Sequence, residues 1–454
     1  MERSTPPEWI KRSFDSFAAG QSSSPSGLSI VRQRAMEHFL ATGLPAPGEE
    51  DWRYTNLNPV FSTPRSFMPE PAQSPSAINV LRSVEGLEAA SSKCRLAFVD
   101  GHFAQDLSTV PVQEGISVLP LSKMLGDAGR FKQEIELLEA QLSANTELKE
   151  SPLVSLSTAF LGEGVFIRAA RDVRCAETIH IVYITTSGKQ ERFLTPKTFI
   201  QLEQGAYVQI VETHLGAGGS TLSMPLTEVT VGENAKADLY KLQLEDLQTN
   251  HIANILAHQS SNSVIRTHLF SFGGSTVRNE VRIKIDGPGC HTAINGLTVI
   301  NGNQHVDNHT VLDHAKPNCE STENFKGIYG DSSKGVFCGT IIVEKDAQKT
   351  NAFQSNKTLL LSPNASIDAK PQLKIWADDV KCTHGATVGQ MDDNALFYMR
   401  SRGISLVTAQ HLLIHAFASD VISEVENKAL RELLENQLMR KLKDLSGRSI
   451  SALK

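Results

Sequence analysis

The sequence of 454 residues lacks any segment suited to membrane crossing or export. Nowhere do about 18 consecutive apolar residues occur, which is the length that a helix needs to span a bilayer. The first eight residues also lack the apolar core of a secretory signal. We therefore expect a cytoplasmic protein that is neither exported nor inserted into a membrane.

Closely spaced cysteine pairs are missing as well. The six cysteines are scattered along the chain without a CxxC motif. In a reducing compartment this distribution indicates free thiols rather than a disulfide framework. We expect most of them to be core residues.

The chain has no excess of positive charge and no phosphate-binding loop. Its 44 basic and 50 acidic residues give a formal net charge of -6, which disfavours a general nucleic-acid binder. No GxxxxGK[ST] motif occurs, so any ATP must be bound by a partner rather than by this chain. The glycine-rich run at 216–220 precedes a strand-like segment and predicts a turn.

The first 150 residues predict a mixed region dominated by helices. The sequence TPPE at 5–8 has the form of a capping box with proline at the first helical position. Further helices are predicted over 28–41 and 128–142. The proline- and serine-rich stretch at 62–76 predicts an irregular connection.

From residue 151 to about 395 the sequence predicts a repetitive β structure. Short β-rich runs are separated by turn signals, and units that begin with Ala206, Ala235, Ser263 and Cys290 follow one another at intervals of 27 to 29 residues. A near-constant period points to a solenoid. Because no helices of 10 to 15 residues are interleaved, a parallel β-helix fits better than a doubly wound sheet or a sandwich.

Residues 396–454 predict a helical region. An apolar stripe follows Ser405, which is available as an N-cap, and a second helix is predicted over 428–443. Such a pair has two compatible interpretations: a cap that closes the end of the solenoid, or a docking surface for a partner.

Cys382 and His384 place a thiol and an imidazole two residues apart. If the sequence that begins near Leu373 forms one continuous strand, both side chains lie on the same face, about 6 to 7 Å apart. That spacing suits a shared metal or cluster, but two ligands are too few for a complete site. The alternative is a buried cysteine beside a surface histidine.

A second candidate metal group is formed by His305, Asp307 and His309, which alternate along the sequence. On a strand they would share one face. We favour the interpretation that they form a polar outer face of the β-helix, because this ligand set is incomplete.

Several motifs closely resemble signatures of SufD proteins in the SufB/SufD family, which belongs to the machinery that assembles iron–sulfur clusters. Near the C-terminus they are PQL at 371–373, ADDVKCTHGATVGQMD at 377–392 and FYMRSRGI at 397–404; EEDWRYTNL at 49–57 is the N-terminal counterpart. The resemblance extends over nearly the whole chain. It implies a mainly β protein with a right-handed parallel β-helix, flanked by N-terminal and C-terminal helices.

The resemblance also implies a function and partners. The chain would be a noncatalytic scaffold of a SufBCD-type complex, paired through its β-helix with a SufB-like paralogue and bound to a SufC-like ABC ATPase. A transient iron–sulfur cluster would form at the shared interface with help from His384, and with Cys382 as a weaker candidate. The predicted ATPase-binding residues are Ile404, Leu412, Leu413, Ala416, Phe417 and Val421.

Three alternatives remain open at this point. The chain could be a polysaccharide-active β-helix enzyme with Asp378 and Asp379 as acids, although adjacent carboxylates on a strand point to opposite faces. It could instead be a purely structural subunit in which Cys382 and His384 are inert. An exposed flank of the β-helix also makes a homodimer plausible when the partner is absent.

Overall fold

In the computed structural model, which describes residues 4–21, 26–68, 74–91, 93–144 and 151–448, the chain winds into a parallel β-helix of about eight turns. Two long sheets face each other across its interior. Helices lie before and after it in the sequence. The prediction of a mainly β protein with a parallel β-helix core is confirmed.

The elements before the β-helix are α1 Glu8–Gly20, α2 Ser26–Thr42, α3 Asn58–Phe61, β1 Ser66–Phe67, α4 Ser74–Arg82, α5 Leu87–Ala90, β2 Arg95–Val99, β3 His102–Phe103, β4 Ile116–Pro120, α6 Leu121–Gly126, α7 Lys132–Ser143 and α8 Pro152–Ala159. Short 3₁₀ turns lie at Glu50–Trp52 and Gln105–Leu107. Residues 69–73 of the predicted irregular connection lie outside the described residues.

The first sheet contains, from its N-terminal end, β4, β5 Gly164–Ala169, β8 Lys197–Leu202, β11 Leu226–Val231, β13 Thr249–Gln259, β15 Thr276–Ile285, β17 His305–His314, β19 Lys334–Val343 and β21 Ser366–Ile375. Joined to it are β1, β7 Arg192–Leu194 and β10 Thr221–Ser223.

The second sheet contains, in the same direction, β3, β2, β6 Ile179–Thr185, β9 Tyr207–Gly216, β12 Lys236–Leu244, β14 Val264–Ser271, β16 His291–Ile300, β18 Glu320–Tyr329, β20 Asn351–Leu360 and β22 Lys381–Gly389. The chain then ends in α9 Asp393–Ser401, α10 Leu406–Ile422 and α11 Lys428–Arg448.

The predicted repeat corresponds to one corner of each coil. Tyr207, Lys236, Val264 and His291 stand opposite one another on successive strands of the second sheet, at the predicted intervals. Before each strand a glycine or asparagine has positive φ, a conformation that these residues tolerate best. The next residue is small and buried, because it points into the interior where the chain turns. These corner residues are Ala206, Ala235, Ser263, Cys290 and Cys319.

The two ends of the solenoid differ. At the N-terminal end, β4 pairs antiparallel with β5 and so covers the first strand of the first sheet. In the second sheet β2 pairs with β6 on one side and with β3 on the other. Strands of the N-terminal region therefore cover this end of both sheets. At the C-terminal end β21 and β22 are the last strands of their sheets. The C-terminal helices do not cover this end, and their predicted role as an end cap is wrong.

The C-terminal helices lie instead along the outer face of the second sheet. Their apolar residues, among them Ile414, Ala418 and Leu434, form one buried cluster with outward-facing strand residues such as Leu242 and Phe270. Burial of apolar area at roughly 25 cal/mol per Å² stabilises this contact. Ser405 caps α10, as predicted, by accepting a hydrogen bond from the backbone N–H of Thr408.

The first helix begins differently from the prediction. Helix α1 starts at Glu8 after Pro7, and no side chain caps its N-terminus. The capping box predicted over residues 5–8 is therefore wrong. The buried residues of α1 are Trp9, Ile10 and Phe14. They pack with other N-terminal helices against Phe193 of the first sheet, and this contact anchors α1 without a cap.

His305, Asp307 and His309 share one face of β17, as predicted, but this face is not open to solvent. Asp307 and His309 are buried because the segment after residue 49 crosses them. Arg278 forms an ion pair with Asp307. Its guanidinium lies 3.7 Å from the centre of the Trp52 ring. We call residues 49–57 the N-terminal strap. The prediction of a polar outer face is therefore corrected: these polar side chains form a buried network under the strap.

Thr55 joins the strap to this network. Its hydroxyl donates to Asp307 Oδ2 at 2.6 Å and lies 2.9 Å from His305 Nε2. A hydrogen bond to a buried charged group contributes more than a bond between neutral groups. Trp52 holds the strap to the same network through its cation–π contact with Arg278.

No helix in the described part of the chain is both long enough and apolar enough to cross a membrane.

We expect Thr55→Val to lower the free energy of unfolding by about 1.5 to 3 kcal/mol, because the buried carboxylate of Asp307 loses one of its two donors and keeps only Arg278. The measurement is equilibrium unfolding in urea. Thr109→Val, at an exposed threonine, is the control and should change stability by less than about 0.5 kcal/mol. Equal effects of the two substitutions would contradict the importance of this bond.

Candidate functional site at the open end of the solenoid

The open end is formed by two strands that each lack a neighbour on one side. Strand β21 pairs with β19 and β22 pairs with β20, and no described strand pairs with their other edges. Such an edge presents a row of unpaired backbone N–H and C=O groups that can pair with another chain. Much of the surface of both strands is exposed.

A corner at residues 376–380 separates these strands. The prediction of one continuous strand from Leu373 to His384 is therefore wrong. Asp379 fixes the corner: its backbone N–H donates to Gln348 Oε1 at 2.9 Å, and its carbonyl accepts from Lys349 N at 2.6 Å. Asp378 and Asp379 are both exposed at this bend.

Cys382 and His384 share a face of β22, as the alternation along a strand requires. In the register with β20, Cys382 stands opposite Ala352 and His384 stands opposite Gln354. Ala352 and Gln354 are buried in the interior of the preceding coil. The inward-facing side of β22 thus continues the interior of the solenoid at a point where no further coil covers it.

The two side chains differ in accessibility. Cys382 is half-buried and packs against an interior apolar cluster that includes Ile341 and Val343. Burial raises the pKa of its thiol, which keeps the thiol protonated at neutral pH and makes it a weaker ligand. His384 is exposed. The geometry therefore leaves the imidazole more available than the thiol.

A buried polar column lies below His384. The amide of Gln354 donates to the carboxylate of Glu323, one coil further in. Burial raises the pKa of Glu323 to about 7, despite hydrogen bonds that oppose the shift. The sequence analysis did not single out these two residues. The coil period of about 30 residues, extended from His384 toward the N-terminus, would have found both.

Large exposed apolar side chains surround the open end. Trp376 in the corner is 56% exposed and Val388 at the end of β22 is 53% exposed. Helix α9, which follows β22, has no buried residue, and its Phe397 and Tyr398 are 76% and 60% exposed. Exposed apolar side chains along an unpaired edge are candidates for burial by a partner chain.

The predicted docking residues on the C-terminal helices fall into three groups. Leu412 and Ala416 are exposed, whereas Ile404 and Leu413 are partly buried. Phe417 is partly buried, and its ring contacts the ammonium of Lys326, which also donates to the Phe417 carbonyl oxygen at 2.7 Å. Val421 is fully buried in the cluster between α10 and the second sheet. A partner cannot reach Val421 in this conformation, and its predicted role in docking is withdrawn.

Comparison with protein families gives two adjoining matches. The family model described as "SUF system FeS cluster assembly, SufBD core domain" matches residues 183–417, which is more than half of the chain. The model described as "SufBD protein N-terminal region" matches residues 15–181. Together they extend over the strap, the β-helix, the open end and most of α10.

Curated relatives agree with this result over most of their length. Iron-sulfur cluster assembly protein SufD of Escherichia coli is 29% identical, over 88% of this chain and 90% of the relative. Protein ABCI7, chloroplastic, of Arabidopsis thaliana is 29% identical over 93% and 88%. A SufBD family iron-sulfur cluster assembly protein of Synechocystis is 26% identical over 88% of each chain.

The names of the bacterial relatives describe assembly proteins rather than enzymes, in agreement with the prediction of a noncatalytic chain. The family match extends through the β-helix to the exposed histidine of its last strand. This chain therefore belongs to the SufBD family of iron–sulfur cluster assembly proteins.

Proposed function

We propose that this chain is the SufD-like scaffold subunit of a SufBCD-type complex and assembles iron–sulfur clusters in the cytoplasm. It pairs through the open end of its β-helix with a SufB-like paralogue, and its C-terminal helices bind a SufC-like ATPase. The single observation that supports this most is the placement of His384, exposed on an unpaired terminal strand whose face continues the interior of the solenoid.

The pairing proposal rests on the unpaired edges and on the apolar residues beside them. A second β-helix that adds a strand to β21 or β22 would satisfy their backbone groups and extend the ladder. It would also bury Trp376 and Val388, which are costly to leave in water. Tryptophan is among the residues that most often dominate the energy of an interface.

The cluster is the cargo of this site rather than a resident cofactor. An iron–sulfur cluster needs about four soft or imidazole ligands, and this chain offers His384 and the less accessible Cys382. We propose that a cysteine of the SufB-like partner supplies thiolate and that His384 completes the set from the opposite side. The cluster is held transiently between the two subunits and is then passed on.

The docking proposal rests on the exposed side of α10 within the C-terminal region, residues 396–454. We retain Ile404, Leu412, Leu413, Ala416 and Phe417 for it, and the side chain of Leu412 is 48% exposed. Because the sequence has no GxxxxGK[ST] loop, ATP is bound by the partner. Residues 1–150 then form the N-terminal region and residues 151–395 the β-helix core.

One of the earlier alternatives is less well supported. Membership of the SufBD family and the position of Asp378 and Asp379 at an exposed corner both disfavour a polysaccharide-active enzyme. A purely structural subunit, with His384 inert, is the remaining competitor. A homodimer formed through the same open end is expected only when the SufB-like partner is absent.

In the assembled complex, His384→Ala should reduce bound iron and acid-labile sulfide by about tenfold or more, because a direct ligand is lost. The measurement is iron and sulfide analysis after reconstitution. Thr383→Ala is the matched control, since Thr383 is an exposed neighbour on the opposite face of the same strand. Cys382→Ala should reduce bound iron and sulfide less than His384→Ala does.

Unchanged iron and sulfide in the His384→Ala complex would refute the ligand role and would favour the purely structural subunit. Because His384 is exposed, the substitution should leave the thermal unfolding of the isolated chain unaffected.

Leu412→Lys should abolish co-purification of the ATPase, because it places a charge in the proposed docking surface without disturbing the core. The assay is a pull-down with the SufC-like protein. Ile30→Lys on α2, where Ile30 is 51% exposed, is the control. Retained binding by Leu412→Lys, or equal loss in the control, would argue against docking on α10.

A further inference from the structure

Three buried side chains of metal-binding type lie together inside the solenoid. They are His214 on β9, Glu245 directly after β12 and His251 on β13. One nitrogen of each imidazole and one oxygen of the carboxylate lie within 4.8 Å of one another, and all three residues are buried. We propose that this cluster binds one divalent transition-metal ion, at a site separate from His384.

The hydrogen bonding of the cluster is incomplete. His214 Nε2 and His251 Nδ1 are both buried without a hydrogen-bond partner among the described residues. His251 Nδ1 lies 2.8 Å from Glu245 Oε2, but the two atoms are not aligned as a hydrogen bond. Buried polar atoms are rarely left unpaired, because their lost hydration is then not replaced. An ion between these atoms would give each of them a bond.

The donor set fits such an ion. Two imidazoles and one carboxylate form the protein ligand set of many zinc sites and of non-haem Fe(II) sites, with further positions left for water. In a tetrahedral zinc site the donor atoms stand roughly 3.4 Å apart, so the widest pair here must approach by about 1.4 Å. Small rotations of the side chains supply such a movement.

Lys241 determines on which side of His251 the ion lies. Its ammonium nitrogen is 2.7 Å from His251 Nε2, across the ring from Glu245. The ion therefore binds His251 through Nδ1.

The site lies beside a cavity. Glu245 lies in the wall of a cavity of about 490 Å³ between the second sheet and α11. Asp246 and Asp444 line the same cavity together with Arg440 and Lys441. Of the three proposed ligands, Glu245 is the one that lines this cavity.

Titration of the full-length chain with Co²⁺, after treatment with a chelator, tests the proposal. The visible d–d absorption of Co²⁺ reports its ligand geometry, and displacement by Zn²⁺ gives the relative affinity. We expect one equivalent bound by the unaltered chain. Loss of an outer-shell partner costs about 10- to 100-fold in affinity, so loss of a direct ligand in His214→Gln or Glu245→Gln should cost at least about 100-fold.

His268→Gln is the matched control. His268 is also a buried histidine with both ring nitrogens unpaired, but it stacks on Tyr240 outside the cluster. Its loss should leave Co²⁺ binding unchanged. If His214→Gln fails to fold, the nearly isosteric Glu245→Gln variant decides.

The proposal is overturned if the unaltered chain binds no stoichiometric Co²⁺, or if Glu245→Gln binds it with unchanged affinity. It is also overturned if the spectrum shows thiolate charge transfer, which would assign the ion to cysteines. The experiment uses the isolated chain and monitors no cluster, so its outcome is independent of the role proposed for His384.

Discussion

The backbone ladder between successive coils is the constraint on which the rest of this structure depends. Each strand of a parallel β-helix satisfies its polar groups only through the coil before it and the coil after it. The N-terminal region supplies β2 and β4 for the first coil, so that end is covered within the chain. The last coil, with β21 and β22, has no such cover in the described residues. An unpaired ladder with exposed apolar neighbours is a surface on which another chain can pair.

The same geometry determines where chemistry can occur. Side chains that face inward on middle coils are buried, and a polar one must find a partner there, as Gln354 and Glu323 do. On the last coil an inward-facing side chain points the same way, but no following coil covers it. His384 is in this position, which gives a histidine that is held on a strand and still accessible. The flanking helices occupy the outer faces, which leaves the open end free.

Much of the fold could be predicted from the sequence, because the corners carry a local signal. Glycine or asparagine with positive φ, followed by a small buried residue, recurs once per coil. The signal weakens where Lys349 takes the corner position with the same positive φ. The outer face of β17 is polar, so its sequence does not predict burial. That face is buried because Thr55 and Trp52 of the strap contact it. The cluster of His214, Glu245 and His251 joins neighbouring coils across the corner between β12 and β13, and the convergence of its side chains is visible only in the fold.

Hydrogen exchange of the backbone amides in β21 and β22 tests the central claim most directly. The measurement compares the isolated chain with its purified complex with the SufB-like partner, and amides of the interior strand β9 serve as the reference. The account predicts that amides on the free edge of the last coil exchange rapidly in the isolated chain and become protected in the complex, while those of β9 do not change. A complex that forms without any added protection of β21 or β22 would contradict it.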